Sequence, residues 1–449
     1  MITPQNRIII VDDEQPELDS LSKEFLKVGI GCRTFLYEEG KYNFNFTDVR
    51  LAFFDINITH KSVVEKGELS EEEFFKANSA VYNDLFNAIN SFISQNNGPF
   101  ALIFWTNNAP LIDGFKLYID ERKLDLPKPF YIGCIDKSEV KNGTLPEKLN
   151  EIFENDKIKL YFEIEENARL AGSKTINKLH TIIPKDEQWS ENSEYFNNID
   201  KVLSKIAVNV LGYDYAKEQP LRGVFEGLSQ LIVKEFLEQK STLNIENLLE
   251  SLIESNYSKE LVFPNDFNQA KLNSIYHITE GDFDKDYRGA VIELDKSEKG
   301  FLNWLNIRDE NINAWFNSFI PFKKESNKFK KQIRNNSTLI CVEISSACDF
   351  SNKKPRKNKY MLGFLTPSFS VSEHIDIENR PEYSYHVGGC DFSIQNCDKQ
   401  VWLNLNYVFS AKPDMQFLGE VVFSFNKEIM DMIGNRYANH VSRIGITSF

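Results

Sequence analysis

RIIIVDDE (residues 7–14) is an unbroken apolar run that stops at two adjacent carboxylates. A run with no polar alternation marks a strand covered on both faces, as in a parallel sheet flanked by helices. Four more such runs follow in the first 150 residues: the short GCRTF (31–35), RLAFFDI (50–56), FALIFW (100–105) and FYIGCI (130–135). Glu17–Leu26 and Ser79–Ile93 have helical character between them, the second with Val81, Leu85, Ile89 and Phe92 on one face. The alternation predicts a doubly wound α/β domain of (βα)5 type over residues 1–155.

In such a sheet, ligands bind at the carboxyl ends of the strands. Asp12 and Asp13 leave the first strand at that edge, and Asp55 leaves the third. Three converging carboxylates repel one another unless a hard cation lies between them, and Mg2+ is the usual choice. Thr106 follows the fourth strand and places a hydroxyl at the same edge. In LPKPFYIGCIDKSEV (126–140), two lysines compete for the fifth position. Lys128 precedes the strand and reads as the turn into it, whereas Lys137 follows it and reaches the edge.

Acid pair, central aspartate, hydroxyl and lysine, in that order, resemble the receiver domain of two-component response regulators, whose fold is flavodoxin-like. The resemblance implies that Asp55 accepts a phosphoryl group from a histidine kinase and that Asp12, Asp13 and Asp55 hold Mg2+, with the Asn57 carbonyl as a further ligand. It also implies that Thr106 hydrogen-bonds the phosphoryl group and that Lys137 pairs with it. Three features depart from the receiver pattern: an acidic insertion around KGELSEEEFF (66–75), Asn107 after Thr106, and Cys134 where a switch aromatic is expected. The alternative on the same residues is an inert pseudo-receiver that binds a partner.

Residues 156–264 are predicted to be a helical connector, with Leu160, Ile164, Ala168 and Ala171 on one stripe. Residues 265–449 are predicted to be an α+β, strand-rich output domain. Its strands are TLICVEIS (338–345), YMLGFL (360–365), VWLNLNYVF (401–409) and EVVFSF (420–425), followed by a helix from about Asn426. Cys348 and Asp349, directly after an apolar strand, are a candidate nucleophile site, with His277, His374, His386 and His440 as available partners. The stretch 321–360 carries eleven Lys and Arg against three acids and is open to an anionic partner, nucleic acid included. An enzyme using Cys348 under receiver control is therefore a second reading.

The 449-residue chain has 52 basic and 66 acidic residues and a net charge of −14, which disfavours general adhesion to nucleic acid or anionic membrane. No segment has the length of a signal-peptide core or a membrane span, so the expected setting is cytoplasmic. Cys32, Cys134, Cys341, Cys348, Cys390 and Cys397 include no CxxC pair and are expected to be mostly buried thiols. Taken together, these features predict a phosphorelay signalling protein whose receiver regulates a downstream domain or protein partner. The inserted receiver and unfamiliar output domain also resemble receiver proteins of bacterial anti-phage conflict systems of the Detocs type.

Overall fold

The computed structural model describes residues 7–65, 67–138, 145–184, 193–239, 267–294, 301, 312–345 and 357–442. The chain divides into two compact units, Met1–Leu179 with Leu231–Leu261 and His180–Gln230 with Val262–Phe449.

In the first unit, β1 (Ile8–Asp12), β2 (Arg33–Leu36), β3 (Leu51–Phe54), β4 (Ala101–Trp105) and β5 (Tyr131–Ile135) form a wholly parallel sheet in the order β2-β1-β3-β4-β5. The helices are α1 (Gln15–Lys27), α2 (Glu71–Ala77), α3 (Ser79–Phe92), α4 (Leu111–Arg122) and α5 (Leu145–Glu154). Successive side chains of a strand point to opposite faces. Ile9, Val11, Ala52, Phe54, Leu102 and Phe104 accordingly pack against α3 and α4. Ile8, Ile10, Leu51, Phe53, Ala101 and Ile103 pack against α1 and α5. Burial on both faces explains why these strands read as unbroken apolar runs.

The (βα)5 pattern fails at one link. Among the described residues no helix joins β2 to β3; an extended aromatic segment lies there instead. Phe44 N donates to Ser91 O and Phe46 N to Phe92 O, each at 2.8 Å. Their rings stack 4.9 Å apart beside Phe35. The alternating YNFNF (42–46) sends its aromatics to one side, which suits a strand-like cover better than a helix.

Residues 71–75 of the acidic insertion belong to α2. Ser70 and Glu73 form a capping box, with Ser70 Oγ accepting from Glu73 N and Glu73 Oε2 accepting from Ser70 N. Beyond the sheet come α6 (Asp156–Ile182), α7 (Ser193–Leu211), α8 (Tyr213–Glu218) and α9 (Pro220–Leu237). Among the described residues no helix is long and apolar enough to cross a membrane.

The second unit holds an eight-stranded antiparallel sheet. Its strands are β6 (Ile278–Thr279), β7 (Ala290–Leu294), β8 (Thr338–Glu343), β9 (Asn358–Pro367), β10 (Ser384–His386), β11 (Phe392–Ile394), β12 (Cys397–Ala411) and β13 (Leu418–Phe425). The order is β10-β12-β9-β8-β7-β13-β6, with β11 on β12. Its helices are α10 (Gln269–His277), α11 (Ile312–Phe319), α12 (Asn327–Asn335), α13 (Val371–His374) and α14 (Lys427–Val441). One sheet face packs on α11, the other on α14. Of the five described cysteines only Cys341 is fully buried, while Cys134 and Cys397 are exposed, contrary to the expectation of mostly buried thiols. Cys134 lies on β5, an edge strand, and Cys397 opens β12 beside a tight turn.

Helix α9 approaches α7 through Gly223, where a Cβ would fall 2.7 Å from the Ala207 Cβ. Replacing glycine by alanine in an open helix stabilises it by about 1 kcal/mol. Gly223→Ala is expected to do the reverse, lowering the thermal midpoint in calorimetry because the two helices must separate.

Candidate metal centre

The parallel register sets the site. Val11 of β1 pairs with Phe54 of β3, so the next residues, Asp12 and Asp55, reach the same edge together. Asp55 N donates to Val11 O at 3.1 Å, which fixes the exit of β3. Asp12, Asp13 and Asp55 each present an oxygen within 4.8 Å of the others, and among the described residues this is the one acid, histidine or cysteine cluster able to hold a metal ion.

Lys137 comes two residues after β5 and reaches across β4. Its Nζ donates to Asp12 Oδ2 at 2.8 Å and to Asp55 Oδ2 at 3.1 Å. Both partners and the lysine are buried. Lys128 is exposed in the turn before β5.

One ammonium does not balance three carboxylates. Burial pushes the Asp12 carboxyl up to about 6 despite the neighbouring Lys137. Asp13 is also raised by burial, with His60 opposing and Asp55 adding to the effect. Burial works against the Lys137 ammonium, yet Asp55 and Asp12 hold its pKa above the ordinary lysine value. The lysine therefore stays charged, and the remaining deficit is of positive charge.

The unpartnered atoms point the same way. Both carboxylate oxygens of Asp13 and the Oδ1 of Asn57 are buried without a hydrogen-bond partner. Buried oxygens of this kind cost free energy unless something satisfies them. An all-oxygen set suits a hard cation, so the cluster could bind a metal ion.

Asn57 N donates weakly to Asp55 Oδ1 at 3.4 Å, and its carbonyl accepts from His60 N at 3.1 Å. Thr106 is fully buried at the end of β4, and its Oγ1 accepts from Asn108 N at 3.1 Å. Asn107 beside it is exposed. Cys348 and Asp349 lie outside the described residues.

His60 was not singled out in the sequence. It sits in the loop after Asp55 with φ of 50°, and its Nε2 lies 3.3 Å from Asp13 Oδ2. Its sole sequence signal is its place in FDINITH (54–60). The loop is anchored by the buried Asn78, whose Oδ1 accepts from Val64 N while its Nδ2 donates to Val64 O and Phe74 O. The inserted α2 thereby helps to fix the approach to the acidic cluster. No family model, curated protein or solved structure matches the chain.

The raised pKa of Asp12 has a definite sign. Without a cation, the folded unit retains a proton that the unfolded chain has already released, so this stabilising contribution is full below the ordinary carboxylate value and lost as pH rises through about 6. The loss is on the order of 3 kcal/mol. Protons and a divalent cation compete for the same oxygens. Mg2+ is expected to raise the thermal midpoint more at pH 7.5 than at pH 5, and Asp13→Asn should remove most of that response. Equal shifts at both pH values would contradict this electrostatic picture.

Proposed function

We propose that the first unit is a receiver that accepts a phosphoryl group on Asp55 from a histidine kinase. The observation that carries this reading is the Lys137 ammonium placed on both Asp12 and Asp55 at the carboxyl edge of the parallel sheet. The same ammonium faces a cluster in which buried oxygens of Asp13 and Asn57 have no hydrogen-bond partner.

Asp12, Asp13 and Asp55 would hold Mg2+, which when bound supplies positive charge to the phosphoryl oxygens. Asp55 is the nucleophile. A carboxylate oxygen attacks phosphorus, an acyl phosphate bond forms, the bond from phosphorus to the donor imidazole nitrogen breaks, and the imidazole leaves with its electron pair. Lys137 pairs with the Asp55 carboxylate and then with the phosphoryl oxygens. The Thr106 oxygen accepts from Asn108 N, which leaves its O–H to donate to the same group. The phosphorylated state then regulates the second unit or a downstream protein partner.

Acetyl phosphate with Mg2+ is expected to add one phosphoryl group, read by intact mass. The gain should vanish in Asp55→Asn and on chelation of Mg2+, and Lys137→Ala should slow it roughly a hundredfold. A wild-type protein that gains no mass would instead be an inert pseudo-receiver.

A further inference from the structure

Helix α12, NKFKKQIRN (327–335), carries three lysines and one arginine and no acid. Its inner face is fixed to the second unit. Ile333 is buried and Phe329 stacks on His374 of α13 at 3.8 Å; the two residues, four apart, share one side of the helix. The entry is pinned as well, with Lys323 N donating to His374 O at 2.9 Å and Lys323 Nζ to Ser372 O at 2.8 Å. At the far end Ser337 Oγ donates to Ile333 O and Asn336 Nδ2 to Gln332 O. The helix therefore presents a fixed outer face.

That face is cationic. Lys328 and Lys331 are exposed, Lys330 and Arg334 are half-buried, and the exposed Lys324 stands just ahead of the helix. Among the described residues no acid pairs with any of the five. Glu325 is exposed before the helix, and Glu373 turns to His374 at 3.9 Å. Lys331 lies three residues from both Lys328 and Arg334, and Lys330 lies four from Arg334, spacings at which like charges repel. A helix facing water alone is more stable with acids set among its bases, so folding does not account for this run.

The remaining outer residues select the partner. Between the cations stand Asn327, Gln332 and Asn335, all exposed amides. Protein interfaces depend on a desolvated core of aromatic and aliphatic anchors. Amphipathic helices enter membranes through an apolar face, and single-stranded nucleic acid stacks on aromatic rings. The outer face of α12 offers none of these, because its apolar residues, Phe329 and Ile333, pack inward. Cations and amides suit phosphate oxygens, which is how proteins hold a duplex backbone without reading its sequence. The net charge of −14 opposes such binding at long range. A Debye length of about 8 Å at physiological ionic strength confines that repulsion to close neighbours.

We propose that α12 is a docking surface for the phosphate backbone of a nucleic-acid duplex, with Lys328, Lys331 and Arg334 contacting phosphates and Lys324 and Lys330 flanking them. Binding is independent of sequence and does not rest on the receiver reading.

Fluorescence anisotropy of a labelled duplex of mixed sequence, titrated with the unphosphorylated full chain between about 50 and 200 mM salt, tests this surface. Saturable binding that falls steeply with salt is expected. A chain carrying Lys328→Gln, Lys331→Gln and Arg334→Gln together should bind roughly tenfold or more weakly at the lower salt, with the slope of log K against log salt reduced by about three. Lys328→Arg with Lys331→Arg keeps the charge and should keep both the affinity and the slope. The proposal is overturned by no saturable duplex binding at the lower salt, by an unchanged slope in the triple variant, or by loss of binding in the arginine variant. Tighter binding to a single strand of the same length, or binding to phosphatidylserine vesicles but not to duplex, would overturn it equally.

Discussion

A single buried ammonium, Lys137 between Asp12 and Asp55, is the interaction that holds the acidic cluster of the first unit together. Such a pairing is expensive to desolvate and is retained only where the geometry is well supported. Support here comes from the sheet. The register of β1 on β3 delivers the two aspartates to one edge, and the register of β4 on β5, with Thr106 N donating to Ile135 O at 3.0 Å, delivers the lysine to the same place. A slip of one residue in any of these pairings would turn the side chains to the other face.

The cluster is nevertheless left short of positive charge, and that deficit links structure to function. Burial raises Asp12 and Asp13 together, and Asp13 retains two buried oxygens with no hydrogen-bond partner. A fold selected for stability alone would replace such groups with apolar ones. In the second unit the buried His386 likewise has a ring nitrogen, Nε2, without a hydrogen-bond partner.

The parallel sheet was legible because burial on both faces writes itself into the chain as unbroken apolar runs such as IIIV (8–11) and LAFF (51–54). The choice between Lys128 and Lys137 could be argued for a related reason: side chains meet through strand ends, and the lysine following FYIGCI is the one whose Nζ contacts Asp55. Less was readable where contacts are long-range. The aromatic segment replacing a helix between β2 and β3 is held by the distant carbonyls of Ser91 and Phe92. His60 meets Asp13 only through the fold. In the second unit, β13 lies between β6 and β7, an order that local patterning does not encode. His386 likewise becomes distinctive only once β12 sets Trp402 against it.

The most direct test uses beryllofluoride, which mimics a phosphoryl group on a carboxylate, followed by 19F NMR. With Mg2+ present, the wild-type protein should show protein-bound fluorine resonances at the Asp55 acyl-phosphate position, and these should disappear in Asp55→Asn and on removal of Mg2+. Absence of bound resonances in the wild-type protein, or their persistence in Asp55→Asn, would contradict the assignment of Asp55 and its acidic cluster as a phosphoryl-accepting site.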